Sequence, residues 1–189
     1  MKVYFCASQK GKKYFSEKYS KIYHFIEDLG HQHIDDDIIS VSEQDYYARL
    51  NQGGKKSEEK LYDKKIKSIQ EADVCIFEVS ISSNAMGFQI RKSLELNKPT
   101  VLLYFGDNIP HLLIGVKEDK LLVENYSNNN LKQLIKDIFN KVAKMRDKRF
   151  NFYVSTDLIN YLEDVSRQMS ITKSTFIRNL IIEHKQKKK

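Results

Sequence analysis

The fold is decided by the run Asp73-Val74-Cys75-Ile76-Phe77-Glu78-Val79, which is apolar at almost every position. Strands with one buried face alternate polar and apolar residues, so a run this continuous predicts a strand buried on both faces, as in a parallel sheet. Shorter apolar runs predict further strands at residues 2–7 and 99–104, with weaker signals at 31–34 and 121–124.

Segments with helical periodicity separate these strands, and the alternation of strand and helix predicts an α/β protein. Because the strand interiors are apolar, we expect a flavodoxin-like (Rossmann-like) parallel sheet with helices on both faces. Residues 35–56 are polar and contain Gly53-Gly54, which favours a mobile loop. The predicted helices cover residues 14–29, 57–72, 85–96 and 130–145.

Charge is unevenly distributed along the chain. The 189 residues carry a net charge of +7, and residues 148–189 hold nine Lys or Arg against four Asp or Glu. This asymmetry indicates an end that faces a polyanion, with a solvated lysine tail at residues 187–189 as the alternative. Cys6 and Cys75 lie in apolar runs, which favours free thiols in a reducing, cytoplasmic protein. The sequence contains no signal peptide and no apolar stretch of membrane-spanning length, so no membrane partner is expected.

A candidate ligand site follows the central strand, where Ser80-Ile81-Ser82-Ser83-Asn84-Ala85-Met86-Gly87 leads into a helix. Free N–H groups and the helix dipole make such a helix start suitable for an anion. Ser8, Lys10 and Gly11, which follow the first strand, could complete a phosphate site. A Ser-rich helix cap without a ligand is the alternative interpretation.

Residues 1–145 also resemble a known family. The residues that carry the resemblance are the first strand up to Ser8, Tyr62 on a helix, residues 72–89 and the segment Asn97-Lys98-Pro99-Thr100-Val101-Leu102. In this order they resemble the nucleoside 2-deoxyribosyltransferase family, especially its deoxynucleoside 5′-monophosphate N-glycosidase branch. The resemblance implies binding of a nucleotide or another phosphorylated small molecule, with no cofactor.

The resemblance implies two catalytic acids that this chain lacks. Gln89 stands where the family has its nucleophilic Glu, and Lys65 stands where it has a supporting Asp. An amide is a far weaker nucleophile than a carboxylate, so no catalytic residue is expected. The family's ligand contacts map onto Tyr62, the phosphate-binding Ser83 and Gly87. Other carboxylates lie near these positions in the sequence, at Asp63, Asp73, Glu78 and Glu95, and structural roles are favoured for Glu78 and Glu95.

His31 and His33 share a strand face and precede Asp35-Asp36-Asp37, so a metal site is one interpretation of this segment. Their mixed ligand types match no common metal geometry, and no second ligand cluster supports them. A solvated acidic turn after a polar strand end is the favoured interpretation, and no metal is expected.

The C-terminal segment begins with the alternating run Lys148-Arg149-Phe150-Asn151-Phe152-Tyr153-Val154, which predicts a strand with one buried face. Two short helices are expected after it, and so small a unit needs a second copy to enclose a core. The segment resembles ribbon-helix-helix proteins, which bind DNA as dimers. The resemblance implies base contacts from Arg149, Asn151 and Tyr153, and phosphate contacts from Lys173 and Ser174. A dimerisation segment that does not touch DNA is the alternative.

Taken together, these features favour the hypothesis of a homodimeric regulator of transcription that binds double-stranded DNA. In this interpretation residues 1–146 form a catalytically degenerate nucleotide-sensing domain, and residues 147–189 form the ribbon-helix-helix module. One alternative is an active N-glycosidase or deoxyribosyltransferase-like enzyme. Another is the DNA-binding component of a toxin–antitoxin or defence pair, in which the chain would bind a protein partner.

Overall fold

The structure is a computed structural model that describes residues 1–145 and 152–188. The chain divides into two compact units, Met1–Asp147 and Lys148–Lys189. The first unit is built on a parallel five-stranded sheet with the order β2-β1-β3-β4-β5. Its strands are β1 (Lys2–Ala7), β2 (Gln32–His33), β3 (Val74–Glu78), β4 (Thr100–Phe105) and β5 (Leu121–Tyr126).

This strand order confirms the predicted flavodoxin-like fold. From β1 the chain continues to β2 at one edge of the sheet. It then returns to β3 on the other side of β1 and continues outward to β4 and β5, so the direction of strand addition reverses between β1 and β3. Loops that leave the carboxyl ends of these two strands diverge to opposite faces and leave a crevice between them. The register pairs Tyr4 with Cys75 and Ala7 with Glu78, which brings the ends of the two strands to the same level.

Helices cover both faces of the sheet, as the apolar runs predict. Successive residues of β1 point to opposite faces: Val3 and Phe5 join one buried cluster, and Tyr4 joins the other. The first face is covered by α1 (Lys12–Asp28) and α6 (Leu131–Met145), and the second by α3 (Glu43–Glu71) and α4 (Asn84–Glu95). These four helices correspond to the four predicted ones; α1, α4 and α6 match their predicted bounds to within two residues, and α3 begins 14 residues earlier than predicted.

The prediction of a mobile loop over residues 35–56 is wrong. This segment contains α2 (Asp37–Ser40) and the first half of α3, which is capped by Ser42, whose hydroxyl accepts a hydrogen bond from the Asp45 N–H at 3.0 Å. At Gly54 the backbone has φ 53° and ψ −151°, a conformation open essentially to glycine alone, and α3 is kinked there. The glycine pair therefore marks a kink between two helical halves. A further short helix, α5 (His111–Ile114), was not predicted.

The C-terminal unit contains the two predicted helices, α7 (Thr156–Gln168) and α8 (Lys173–Lys187). Hydroxyl groups of Ser155 and Thr172 cap their amino ends. Residues 148–151 of the predicted ribbon lie outside the described residues, and residues 152–154 form no strand. The ribbon-helix-helix fold is therefore not shown. Across residues 1–145 and 152–188, the helices lack the combined length and hydropathy needed to cross a bilayer.

Candidate functional site

One cavity of the N-terminal unit, here called the main cavity, opens where the carboxyl ends of β1 and β3 meet. It has a volume of about 380 Å³, enough for a ligand the size of a nucleotide. Its position matches the point where the strand order reverses, the usual ligand site of such sheets. The residues that line it are Phe5, Cys6, Ala7, Ser8, Gln9, Lys10, Asp35, Ile38, Tyr46, Tyr47, Lys65, Ser82, Ser83, Asn84, Ala85, Met86 and Gln89.

The loop after β1 supplies one wall of the main cavity. Gly11 donates its N–H to the Ser8 carbonyl at 2.9 Å, and a Cβ on Gly11 would collide with the Tyr19 hydroxyl, so the tight turn requires glycine here. Gly11 thus shapes the loop, while Ser8 and Lys10 line the cavity. Gln9 donates to the Asp37 carbonyl at 3.4 Å, but its buried Oε1 has no hydrogen-bond partner among the described residues.

The amino end of α4 supplies the opposite wall. Ser83 caps the helix, and its hydroxyl accepts a hydrogen bond from the Met86 N–H at 3.4 Å. Capping holds the first turn in place, and the N–H groups of Asn84 and Ala85, which precede the first intrahelical bonds, remain at the helix start. Both residues line the cavity. Ser83 therefore caps α4 and also lines the cavity, so the helix-cap interpretation and the ligand interpretation of this residue are compatible.

An ion-pair network lies along the wall formed by α3. The Lys65 Nζ donates to Asp35 Oδ2 at 2.7 Å and to Asp37 Oδ2 at 2.9 Å, and Lys64 Nζ donates to Asp37 Oδ1 at 2.8 Å. Burial alone would lower the pKa of Lys65, but Asp35 and Asp37 outweigh it and raise that pKa above its usual value. Burial also opposes ionisation of Asp37, yet Lys64 and Lys65 lower its pKa to about 2. The network is thus a neutral set of paired charges at the cavity.

Gln89 reaches the main cavity from the second turn of α4. The Tyr4 hydroxyl donates a hydrogen bond to Gln89 Oε1 at 2.5 Å. Tyr4 is fully buried, and burial, the largest cause, raises its pKa well above the usual value, so it remains a neutral donor. Because Tyr4 fixes the amide oxygen, the amide NH₂ is the end of Gln89 that remains available.

The other predicted ligand residues lie beside the main cavity. Tyr62 is half-exposed on α3, and its ring centroid lies 6.0 Å from that of Phe88. Gly87 lies in α4 and faces a neighbouring cavity bounded by residues 107–113. Neither residue lines the main cavity.

Glu78 and Glu95, the alternative acids, lie apart from the main cavity. Glu78 is fully buried at the end of β3, where its Oε1 accepts hydrogen bonds from the Ser80 and Tyr126 hydroxyls. Burial raises the pKa of Glu78. Glu95 pairs with Arg91 and Lys92 on the surface of α4. These partners are consistent with the structural roles that were expected for Glu78 and Glu95.

The acidic turn after β2 holds three carboxylates close together, since ligand atoms of Asp35, Asp36 and Asp37 lie within 4.8 Å of one another. The ammonium groups of Lys64 and Lys65 already pair with two of them. Burial lowers the pKa of both nearby histidines; His31 contacts the chain's amino group, and His33 stacks on Tyr23 with ring centroids 3.6 Å apart. The turn is better described as part of the ion-pair network than as a metal site.

The predicted DNA contacts divide into two groups. Arg149 and Asn151 lie outside the described residues. Tyr153 is fully exposed, Lys173 donates to Glu163 Oε1 at 2.5 Å, and Ser174 lies in the first turn of α8. Lys173 is thus paired within its own unit.

Comparisons with known proteins favour an enzyme. The 5-hydroxymethyl-dUMP N-hydrolase of Tetraodon nigroviridis is 22% identical over 151 residues, which cover 74% of this chain and 97% of that protein. A Thermofilum pendens protein provisionally named 2′-deoxynucleoside 5′-phosphate N-hydrolase 1 is 27% identical over 113 residues, covering 58% and 71% respectively. Among solved structures, the Clostridium botulinum CMP N-glycosidase BcmB matches with a TM-score of 0.49 at 15% identity, covering 74% of this chain and 99% of that one. No protein family model matches the chain.

The likenesses to the two N-hydrolases support the resemblance of the N-terminal part to nucleotide N-glycosidases and correct the main functional hypothesis. The relatives carry the names of N-hydrolases that act on nucleotides. The hypothesis of a DNA-binding transcriptional regulator is therefore wrong, and the enzyme alternative is better supported. The short basic segment at the C-terminal end was too weak a signal for DNA binding.

Several residues of the main cavity were missed by the sequence argument. Asp35 was assigned to a solvated turn, yet its side chain is only 2% exposed and lines the cavity. Tyr46 and Tyr47 lie in the helical half of α3 that was predicted to be a loop. The available signal for Asp35 was its position directly after a predicted strand, at the edge where parallel strands carry their ligand sites. Gln9 lies in the loop after the first strand that was expected at the site, although it was not named as a ligand residue, and no local pattern indicated the two tyrosines.

Proposed function

We propose that the N-terminal unit hydrolyses the N-glycosidic bond of a nucleoside 5′-monophosphate bound in the main cavity. The observation that carries the proposal is the likeness along 97% of the length of a nucleotide N-hydrolase. The position of the cavity between β1 and β3 and its volume of about 380 Å³ agree with this ligand class.

The phosphate group is expected at the amino end of α4. Free N–H groups and the positive end of the helix dipole favour an anion there, and Asn84 and Ala85 line the cavity at this point. Ser8 and Lys10 add a hydroxyl and an ammonium group from the loop after β1. Donors from two separate elements support a phosphate site more strongly than a helix start alone.

The sugar or the base is expected to donate a hydrogen bond to Gln9. A buried acceptor without a partner costs about 1–3 kcal/mol, and the Oε1 of Gln9 lacks one within the described part of the chain. A ligand O–H or N–H at this position would remove that cost. Sugar hydroxyls and the amino or imino groups of bases are donors of this kind.

Cleavage of a glycosidic bond develops positive charge on the sugar, which a carboxylate stabilises. Asp35 is the carboxylate among the described residues that line the main cavity, and we assign it this role. Its two oxygens already accept hydrogen bonds from the Asp37 N–H and Lys65, so it acts through its charge rather than by forming a covalent bond. Water then bonds to the sugar carbon and gives up a proton, while the electron pair of the broken carbon–nitrogen bond stays on the base, which takes up a proton.

The experiment that tests this proposal measures free base released from dCMP, dUMP, 5-hydroxymethyl-dUMP and CMP by the full chain, using liquid chromatography. Asp35→Asn is expected to lower kcat by about 10²–10³-fold, the usual effect of removing one electrostatic contact at a reacting centre. Asp36→Asn is the matched control, since Asp36 is exposed in the same turn and does not line the cavity.

The outcomes separate hydrolysis from binding. Base release that depends on Asp35 but not on Asp36 supports the proposal. Nucleotide binding without release of base from any of these substrates would refute hydrolysis, and equal loss of activity in both variants would refute the role assigned to Asp35. Thermal unfolding of each variant shows whether the fold is retained.

A further inference from the structure

A second cavity of the N-terminal unit, here called the side cavity, adjoins the main cavity at the amino end of α4. Its volume is about 500 Å³. Ser82, Ser83 and Met86 line both the side cavity and the main cavity, so the two spaces meet at the start of α4. Ser82 is exposed, so the boundary between the two cavities is open to solvent at this residue.

The wall of the side cavity opposite α4 consists of the loop over residues 107–110 and the short helix α5. Hydrogen bonds hold this wall in place. Asn108 donates its side-chain amide to the Phe105 carbonyl at 2.8 Å, and the Phe105 N–H donates to the Ser80 hydroxyl at 2.8 Å. Because Ser80 belongs to the loop that leads into α4, the second bond ties the two walls to each other. The side cavity therefore exists before a ligand binds.

The lining of the side cavity is mainly apolar. Its apolar members include Val79, Ile90, Ile109, Pro110 and Leu113. Asp107 supplies a carboxylate, and lysine and arginine are absent from the described residues that line this space. A second phosphate group would therefore meet a carboxylate with no ammonium or guanidinium group to offset the repulsion. An uncharged group with apolar surface is the occupant that this lining favours.

The part of a nucleotide that both cavities reach is the phosphate, which is expected at the amino end of α4 beside Ser83. In the main cavity Lys65 is paired with Asp35, and Lys10 is left as one unbalanced positive charge among the described lining residues. A phosphate monoester carries a charge of about −1.5 to −2 at pH 7. A phosphodiester carries a single negative charge and matches that of Lys10 more closely.

We propose that the side cavity receives an uncharged alcohol group esterified to the 5′-phosphate, so that the preferred ligand is a nucleoside 5′-phosphodiester. A second nucleoside and a lipid alcohol both have this chemistry. The inference rests on the proposed function only in requiring that a nucleotide binds in the main cavity with its phosphate at α4. It does not require that the bond to the base is broken.

Calorimetric binding to the full chain compares dUMP with its methyl and phenyl esters, both formed at the phosphate. The two esters carry the same charge, so the difference between them measures contact with the side cavity alone. The phenyl ester is expected to bind about tenfold more tightly than the methyl ester, because its ring is buried against apolar side chains. The methyl ester is expected to bind within about threefold of dUMP, because the phosphate lies at an open boundary.

The same series built on dCMP extends the test to the other pyrimidine. An octyl ester and an ester with deoxyadenosine then distinguish the two sources of the alcohol. Tighter binding of the octyl ester would assign the side cavity to a lipid alcohol, and tighter binding of the deoxyadenosine ester would assign it to a second nucleoside.

Three variants identify the side cavity as the source of the preference. Ile109→Trp fills it and should abolish the preference for the phenyl ester, while the affinity for dUMP stays within about twofold because Ile109 does not line the main cavity. Ile109→Ala keeps the test valid if the Trp variant does not fold, and should weaken binding of the phenyl ester alone. Ile114→Trp is the matched control: Ile114 is 47% exposed against 41% for Ile109, lines neither cavity, and should change no affinity.

Three results would overturn the inference: equal affinity for the methyl and phenyl esters in both series, a preference that survives Ile109→Trp, or binding of both esters more than tenfold weaker than that of the parent nucleotide. Leu112 beside the side cavity is 86% exposed, so a second copy of the chain is the competing occupant. A molar mass that falls in Ile109→Trp while the preference is unchanged would assign the cavity to that contact. Absence of any nucleotide binding would remove both proposals, whereas tight binding of the esters without base release would remove hydrolysis alone.

Discussion

Replacing Lys65 by Met is expected to destabilise the N-terminal unit by about 3 kcal/mol. The side chains of Lys65 and Asp35 are 13% and 2% exposed, and their charged atoms are 2.7 Å apart. Methionine keeps the length of the side chain but leaves Asp35 buried without its closest cation. Loss of one partner of a buried ion pair typically costs about 3–5 kcal/mol. Lys64 remains 3.7 Å from Asp35 and offsets part of this cost, which places the expected value at the lower end.

Urea unfolding at pH 7, followed by circular dichroism, measures this loss. Lys67→Met is the matched control: its ammonium lies 3.9 Å from Glu71 on an exposed helix face, so it should lose less than about 0.5 kcal/mol. The double variant Lys65→Met/Asp35→Asn should be more stable than the sum of the single effects predicts, by about 2 kcal/mol, because the uncompensated charge is gone. A loss below about 1 kcal/mol for Lys65→Met, or strict additivity with Asp35→Asn, would show that this reasoning is incorrect.

Three further predictions concern the cavity, the kink and the buried carboxyl group. Gln89→Glu is isosteric and keeps an acceptor for the Tyr4 hydroxyl, so the variant should fold normally. The added carboxylate should raise kcat/KM for base release roughly a hundredfold. An unchanged rate would contradict the placement of residue 89 next to the sugar. Gly54→Ala should cost about 1–3 kcal/mol in urea unfolding, whereas Gly87→Ala, inside α4 with open space at its Cβ, should be neutral or stabilising. Burial raises the pKa of Glu78, so its protonated carboxyl group contributes stability at pH values below the pKa of this group in the unfolded chain. That contribution is lost as the pH rises through the pKa in the folded protein. Glu78→Gln should therefore be more stable than wild type at pH 8 and not at pH 4, and a pH-independent difference would contradict burial of the charge.

The sheet was predictable because its strands carry the signal locally. In β3 every residue from Val74 to Glu78 is buried, and a strand of this kind has to lie inside a parallel sheet with helices on both faces. Short crossover connections then limit the strand order to a few possibilities, and the ligand cavity follows from where that order reverses. This part of the site could be located from the sequence, as Ser8, Lys10 and Ser83 illustrate.

The remaining part of the site depends on contacts that no local pattern encodes. Asp35 and Lys65 are 30 residues apart, and neither position is unusual until α3 brings the ammonium to the carboxylate. The first half of α3 contains few apolar residues and two adjacent glycines, so its helical structure had no periodic signal. Strand pairing in the C-terminal segment would need a second chain, whose contacts the sequence of one chain cannot specify.

Lys65 and Gln89 stand where the resemblance implies catalytic acids, and the cavity still has one carboxylate among its described lining residues, that of Asp35. The set of Lys64, Lys65, Asp35 and Asp37 is neutral as a whole, because each ammonium pairs with a carboxylate. Lys10 also lines the cavity and leaves it with one unbalanced positive charge. A negatively charged nucleotide satisfies that charge and a neutral nucleoside does not. We therefore expect tight binding to depend on the 5′-phosphate, and a nucleoside that bound as well as its monophosphate would contradict the proposed account of the site.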